Sequence, residues 1–182
     1  MSIIYGERVR LRAVERKDVE RFHEWINDPE VTAGLALYLP MSMRDEEGWF
    51  EGLASRPPQE KPLAIDCRAG EGWKLIGNSG FFDLDHTAHS GEIGIMIGDK
   101  SFWNSGYGTE AMSLLLRHGF ETLNLNRIAL RVYAGNLRAI RSYEKAGFSH
   151  EGRLREAVYK RGAYDDVLMM SVLRSEWDAG RK

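Results

Sequence analysis

The chain has 182 residues, 43% hydrophobic and 29% charged, with a formal net charge of -2 and a pI near 6.2. That size and balance suit one globular domain over 1–182 with a full core, and give no strong field to draw it to nucleic acid or to an anionic membrane. The single cysteine, Cys67, excludes an internal disulfide, so a reducing cytoplasm is the expected compartment.

The elements follow in chain order. "ERVRLRAV" (7–14) alternates polar and apolar as a half-buried strand does. "ERKDVERFHEWIND" (15–28) sets Val19, Phe22, Trp25 and Ile26 at helical spacing, and Pro29 ends the helix. "VTAGLALYLP" (31–40) is apolar without a period and reads as a loop or short helix. "MSMRDEEGWFEGLASR" (41–56) reads as a second helix, capped by Ser42 with Asp45 in its first turn. Three strands follow, 62–69, 73–84 and 91–98, joined by tight turns as in an antiparallel meander. A helix begins near Gly106, with Ala111, Leu114, Leu115 and His118 inward. "RIALRVYA" (127–134) is a strand, and "NLRAIRSYEKAGF" (136–148) is a helix capped by Asn136 and closed by Gly147. Residues 149–162 and 163–177 form a closing hairpin. The fold class is mixed α/β (α+β): a mainly antiparallel sheet of about six to seven strands flanked by helices.

No stretch approaches the ~20 apolar residues of a membrane span, and the first residues lack an apolar run of signal-peptide length. Cys67 sits in an alternating apolar stretch and reads as a buried structural thiol. His86 and His89 with a nearby acid do not make a metal site without further ligands, so no metal is expected.

The informative stretch is "FWNSGYGTEA" (102–111), where Gly106 and Gly108 stand directly before a helix. Backbone N–H groups at a helix start lack intrahelical partners, and the helix dipole favours negative charge there. Glycines would let a pyrophosphate reach those groups, and Thr109 could add a hydroxyl. A plain tight turn explains the glycines equally well. The pattern is neither a P-loop nor a dinucleotide fingerprint: the Lys-Ser/Thr of the first is missing, and the sheet before the glycines does not read as βαβ.

A second motif lies about thirty residues on. Asn136, Ala139, Tyr143, Gly147 and Phe148 match N-x-x-A-x-x-x-Y-x-x-x-G-F. With Trp103-Asn104-Ser105-Gly106-Tyr107-Gly108 in the place of Q/R-x-x-G-x-G/A, the pair resembles the two signatures of the GNAT superfamily of acetyl-CoA-dependent N-acetyltransferases. The element order from residue 7 to about 177 is also similar to that family's. Trp103 departs from the usual Gln or Arg. It is ordinary in the branch resembling ribosomal-protein N-terminal and spermidine acetyltransferases, and the ending "EGRLREAVYKRGAYDDVLMMSVLRSEW" points the same way.

The resemblance implies acetyl transfer from acetyl-CoA to a primary amine, without a metal. It implies that Trp103, Asn104, Ser105, Gly106, Tyr107, Gly108 and Thr109 form the pyrophosphate turn, and that Ile95, Met96 and Ile97 pair with the pantetheine arm like an added strand. Asn136 and Ala139 would sit beside that arm, though Asn136 is equally a helix N-cap. Tyr143 would be the general acid, since a phenol of pKa about 10 keeps its proton at neutral pH; alternatively it packs with Phe148. Glu92 is the first choice of base, against a solvated strand-end glutamate, with Asp83 and Asp85 weaker. The acceptor, a small-molecule amine or a peptide N-terminus, would enter between 30–40 and 153–165. Loop 35–39 and Trp25, Trp49 and Trp177 offer either core or a homodimer contact. A non-catalytic acyl-CoA-binding regulatory module on the same fold is the alternative.

Overall fold

The computed structural model describes residues 3–180. Eight strands build one sheet: β1 (Ile4–Tyr5), β2 (Val9–Ala13), β3 (Leu63–Ala69), β4 (Gly72–Asp85), β5 (Ser90–Ile97), β6 (Arg127–Tyr133), β7 (Ser149–Lys160) and β8 (Ala163–Leu173). Their order is β1-β2-β3-β4-β5-β6-β8-β7. Among the described residues five α-helices accompany them, besides short 3₁₀ and π turns: α1 (Val19–Ile26), α2 (Met43–Gly52), α3 (Tyr107–Arg117), α4 (Leu137–Ala146) and α5 (Arg174–Ala179). The sheet is mixed and mostly antiparallel as expected, with one strand more than the sequence suggested. The extra strand is β1, only two residues long and too short to carry a period. The hairpin also ends sooner, because Arg174–Ala179 turns into α5, whose Glu176 carboxylate accepts the Leu173 N–H at 2.9 Å.

Local chemistry accounts for the helix limits. Ser42 caps α2 by accepting the Asp45 N–H at 3.2 Å, while Asp45 accepts the Ser42 N–H at 2.9 Å, a reciprocal box. Asn136 accepts the Ala139 N–H at 3.2 Å to start α4, and Gly147, at φ 104, ends it in the left-handed region. The apolar stretch 31–40 begins with a single 3₁₀ turn, Val31–Gly34.

Two apolar clusters flank the sheet. On one face α3 and α4 pack with Leu11, Ile65, Ile76, Ile128 and Met170. On the other, Phe22 and Trp25 of α1 gather Val31, Ala64 and Met96, with Trp49 and Trp103 against them. Trp25 is therefore core, and half-buried Trp177 packs against the other cluster with its ring 5.2 Å from that of Phe120.

One pairing positions the site. β5 runs beside β4 as far as the Gly77–Ile97 pair. It meets β6, its one parallel neighbour, only at Ser90, Gly91 and Glu92. Beyond Glu92 the two strands part, while β6 stays on β8 up to the Tyr133–Val167 pair. A bulge in β4 between Phe82 and Asp85, with Asp83 at φ 51, adds twist beside the point of parting.

Candidate active site at the parting of two strands

The parted strands open a cavity of about 930 Å³. One wall is β5 from Ile93 to Ile97, and the facing wall is Arg131, Val132 and Tyr133 of β6. Beyond the last β5–β6 pair, the edge of β5 that faces β6 has no strand beside it, so its backbone can pair with an extended ligand. The Ile97 carbonyl is an exception: it accepts the Trp103 indole N–H at 2.7 Å.

The N-terminus of α3 closes one end. Asn104, at φ 58, and Gly106, at φ 86, turn the chain sharply into the helix. Only glycine takes the Gly106 geometry without strain. Gly108 differs. It lies inside the first turn, and a Cβ built there would meet only Ser142 Oγ at 3.6 Å and Ile97 Cγ1 at 3.7 Å. Neither backbone nor packing demands a glycine at 108, so its missing side chain leaves room for something else to approach. Thr109 shares a 2.9 Å hydrogen bond with Ser142 of α4, which fixes the two helices at the cavity floor. Arg138, one turn before Ser142, lays its guanidinium 3.4 Å from the centre of the Trp103 ring.

Tyr143 lines the same cavity from α4. It is 9% exposed, and burial pushes its phenol up to about 12 while nearby Arg138 pulls the other way. Its ring also packs 6.0 Å from Phe148, so the packing and cavity-lining readings both hold. Asn136 likewise does its capping work at the cavity edge. Gly34 lies so close that a Cβ there would sit 2.3 Å from the Asn136 Nδ2.

The other end is bounded by the 30–40 loop and the β7–β8 hairpin. Lys160 crosses between them, donating to the Thr32 carbonyl at 2.5 Å and to the Leu35 carbonyl. Arg161 donates to the Pro29 carbonyl. Tyr133 is pushed up to about 12 by burial, with a contribution from Tyr38.

Of the residues singled out from sequence, Ile95, Met96, Ile97, Trp103, Asn104, Gly106, Gly108, Thr109, Asn136, Ala139 and Tyr143 come together around this cavity. Three do not line it. Ser105 faces away, its carbonyl accepting from Arg8 at 3.2 Å. Tyr107 packs edge-on against Phe102 at 5.2 Å, beneath the Arg8 guanidinium. Glu92 lies where β5 and β6 still pair, and its carboxylate accepts from Arg131 at 2.8 Å. Asp85 is also away, accepting Thr87 and Ala88 N–H groups in the β4–β5 turn. Sequence reasoning missed Arg8, Arg138, Ser142 and Lys160. Arg138 and Ser142 were within reach, because they are four apart on the helix that carries Asn136 and Tyr143.

The residues present suit a pyrophosphate-bearing thioester: an unpaired strand edge, a helix N-terminus with a side-chain-free approach at Gly108, and cationic Arg138, Arg141 and Lys145 on the neighbouring helix. Comparison with known proteins agrees. Residues 8–149 match the acetyltransferase (GNAT) domain model, and the chain belongs to that family. It is 29% identical over 177 residues to the uncharacterized N-acetyltransferase p20 of Bacillus licheniformis, covering 97% of this chain and 99% of that one. It is 26% identical over 185 residues to spermidine N(1)-acetyltransferase of Escherichia coli strain K12, covering 96% and 90%. The crystal structure of spermidine N-acetyltransferase from Vibrio cholerae, in complex with CoA and spermine, superposes with a TM-score of 0.85 at 26% identity, covering 94% and 99%. The protein is an N-acetyltransferase that takes its acetyl group from acetyl-CoA and gives it to an amine. It is thus a transferase and not the binding module that the sequence left open.

Proposed function

We propose that the cavity between β5 and β6 is the catalytic cleft, with cofactor and amine entering from opposite ends. The observation that carries this reading is the convergence of three features on one space: the unpaired β5 edge, the α3 N-terminus and the Tyr143 hydroxyl.

When bound, acetyl-CoA supplies the acetyl group as a thioester. The N–H groups of Tyr107, Gly108 and Thr109 hold its pyrophosphate, aided by the α3 dipole. The β5 edge from Gly94 to Ile97 aligns its extended arm as a strand would. Tyr143 keeps its proton throughout the neutral range, because burial holds it up to about 12. Its hydroxyl is the donor for the sulfur that leaves. Full transfer from so weak an acid is uphill, so its main contribution is a hydrogen bond that strengthens as charge develops on sulfur. Arg138 stabilises any charge left on the phenol.

The amine enters between the 30–40 loop and the β7–β8 hairpin. Glu92 is engaged by Arg131, Glu30 by Lys100 at 2.5 Å, and Asp165 by the N–H groups of Gly135 and Asp166 at 3.1 and 2.8 Å. We therefore read Glu92 as the residue that fixes Arg131, and assign the amine's proton to water at the cleft mouth. A primary amine acceptor, free or at a peptide N-terminus, fits this arrangement, and the spermidine acetyltransferases among the relatives support an amine.

The test is release of free thiol from acetyl-CoA against a panel of polyamines, amino sugars, amino acids and short peptides. Turnover with at least one class supports the cleft assignment. Acetyl-CoA binding with no thiol release from any of them contradicts it.

A further inference from the structure

The cleft carries an unusual balance of charge. Among the described residues lining it, six are cationic and two are carboxylates. Three of the cations, Arg138, Arg141 and Lys145, lie on α4 beside the phosphate turn. The other three, Arg131, Lys160 and Arg161, lie at the acceptor end with both carboxylates, Glu30 and Asp165.

The partners decide what this balance means. Arg131 is neutralised by Glu92 at 2.8 Å. Glu30 pairs with Lys100 at 2.5 Å, a cation it shares with Asp28 at 2.8 Å. Asp165 spends its two oxygens on backbone N–H groups, as above. Like Asp165, Lys160 and Arg161 meet neutral partners only, the Thr32 and Leu35 carbonyls for one and the Pro29 carbonyl for the other, but these two cations are adjacent in the chain. Among the described residues neither has a carboxylate within ion-pair distance. Burial and the neighbouring Arg161 both hold the Lys160 ammonium below its ordinary range, as expected of an uncompensated cation.

We infer that the acceptor is an anionic amine: a primary amine whose carrier bears a carboxylate or phosphate that the Lys160–Arg161 pair receives. This inference rests on the cleft assignment above. A polyammonium chain would meet this adjacent pair of cations at the acceptor end, which disfavours it there. An anionic carrier is drawn in by the same charges. Proximity to the two cations also disfavours the ammonium form of the acceptor. That compensates for the lack of an available carboxylate base, because the amine must be neutral to attack.

Matched acceptors test this in the thiol-release assay. Each amine bearing a carboxylate, and each bearing a phosphate, is compared with its neutral amide or alcohol counterpart, and both with spermidine. An anionic amine is expected to exceed its neutral counterpart by about tenfold in kcat/KM, as one favourable charge contact would give. Whether the carboxylate or the phosphate series responds identifies the anion. Lys160→Met is expected to shrink that ratio severalfold. Since Lys160 also ties the 30–40 loop, the wild type supplies an independent reading. Added salt should raise KM for the anionic amine and leave the neutral one nearly unmoved. Spermidine turning over better than every anionic amine overturns the inference while upholding the transferase cleft. Failure of every amine, with acetyl-CoA still bound, overturns both.

Discussion

Glu110, in the first turn of α3, holds Arg8 at the head of β2 by two bonds: its Oε1 accepts the Arg8 backbone N–H at 2.8 Å and its Oε2 accepts the Arg8 Nε at 3.1 Å. The same Oε1 accepts the Val9 N–H at 3.0 Å. The Arg8 guanidinium then lies 4.6 Å from the centre of the Tyr107 ring and donates to the Ser105 carbonyl. The turn that presents Gly106 and Gly108 is thus braced from outside the cleft by a residue 102 positions away from Glu110.

Removing that brace should loosen the turn. Glu110→Ala leaves two strand-end N–H groups without their acceptor, a loss of about 1–3 kcal/mol. Acetyl-CoA KM should rise while the amine KM stays near its original value. Thermal melts and steady-state kinetics read the two effects, and an unchanged acetyl-CoA KM would separate the brace from the cofactor site.

Tyr143→Phe should lower kcat by about a hundredfold or more, the usual scale for a positioned proton donor. It also has a signature in stability. A phenol held at about 12 in the folded protein keeps its proton where the unfolded chain has already lost it, above about 10. Stability from this group is therefore intact below pH 10 and falls as pH rises from 10 to 12, by about 2–3 kcal/mol. The Phe variant should lack that share of the alkaline loss, and Tyr133, also raised to about 12, should retain its own. Denaturant melts between pH 9 and 12 measure the difference.

Glu151 gives the opposite limb. Arg127 and the Ser171 hydroxyl hold its carboxyl down to about 2. A depressed carboxylate contributes stability above its unfolded value near 4.5, and that contribution is lost as pH falls to 2. The side chain is 37% exposed, so screening limits the effect to below about 1 kcal/mol. Glu151→Gln should be less stable than the wild type at pH 7 and equal to it near pH 2.

Much of this was legible from sequence, where the information is local. The cap at Asn136, the stop at Gly147 and the turn at Gly106 are each decided by a few neighbouring residues, and helix periodicity set the inward face of α3. The parting of β5 from β6 was legible only through the family resemblance, in the arm expected to pair with Ile95, Met96 and Ile97, and not in the residue pattern itself. It depends on which strand each one follows, β4 or β8, and on a bulge at Asp83 that no hydrophobic pattern marks. Glu92 meets the same limit: its place in the strand was readable, but its Arg131 partner belongs to a strand 39 residues further on. The 31–40 loop lacked a period because its order comes from elsewhere, through Lys160 and through the contact of Gly34 with Asn136.

The central claim is that Gly108 is a glycine for the sake of the cofactor. Calorimetric titration of acetyl-CoA into Gly108→Val tests it most directly, with the melting temperature measured alongside. The Val side chain would project toward the space where a pyrophosphate meets the α3 N–H groups, while its Cβ meets only ordinary contacts at 3.6 and 3.7 Å. The account predicts a folded protein, melting within a few degrees of wild type, that no longer binds acetyl-CoA. A folded variant that binds acetyl-CoA as tightly as the wild type would contradict it.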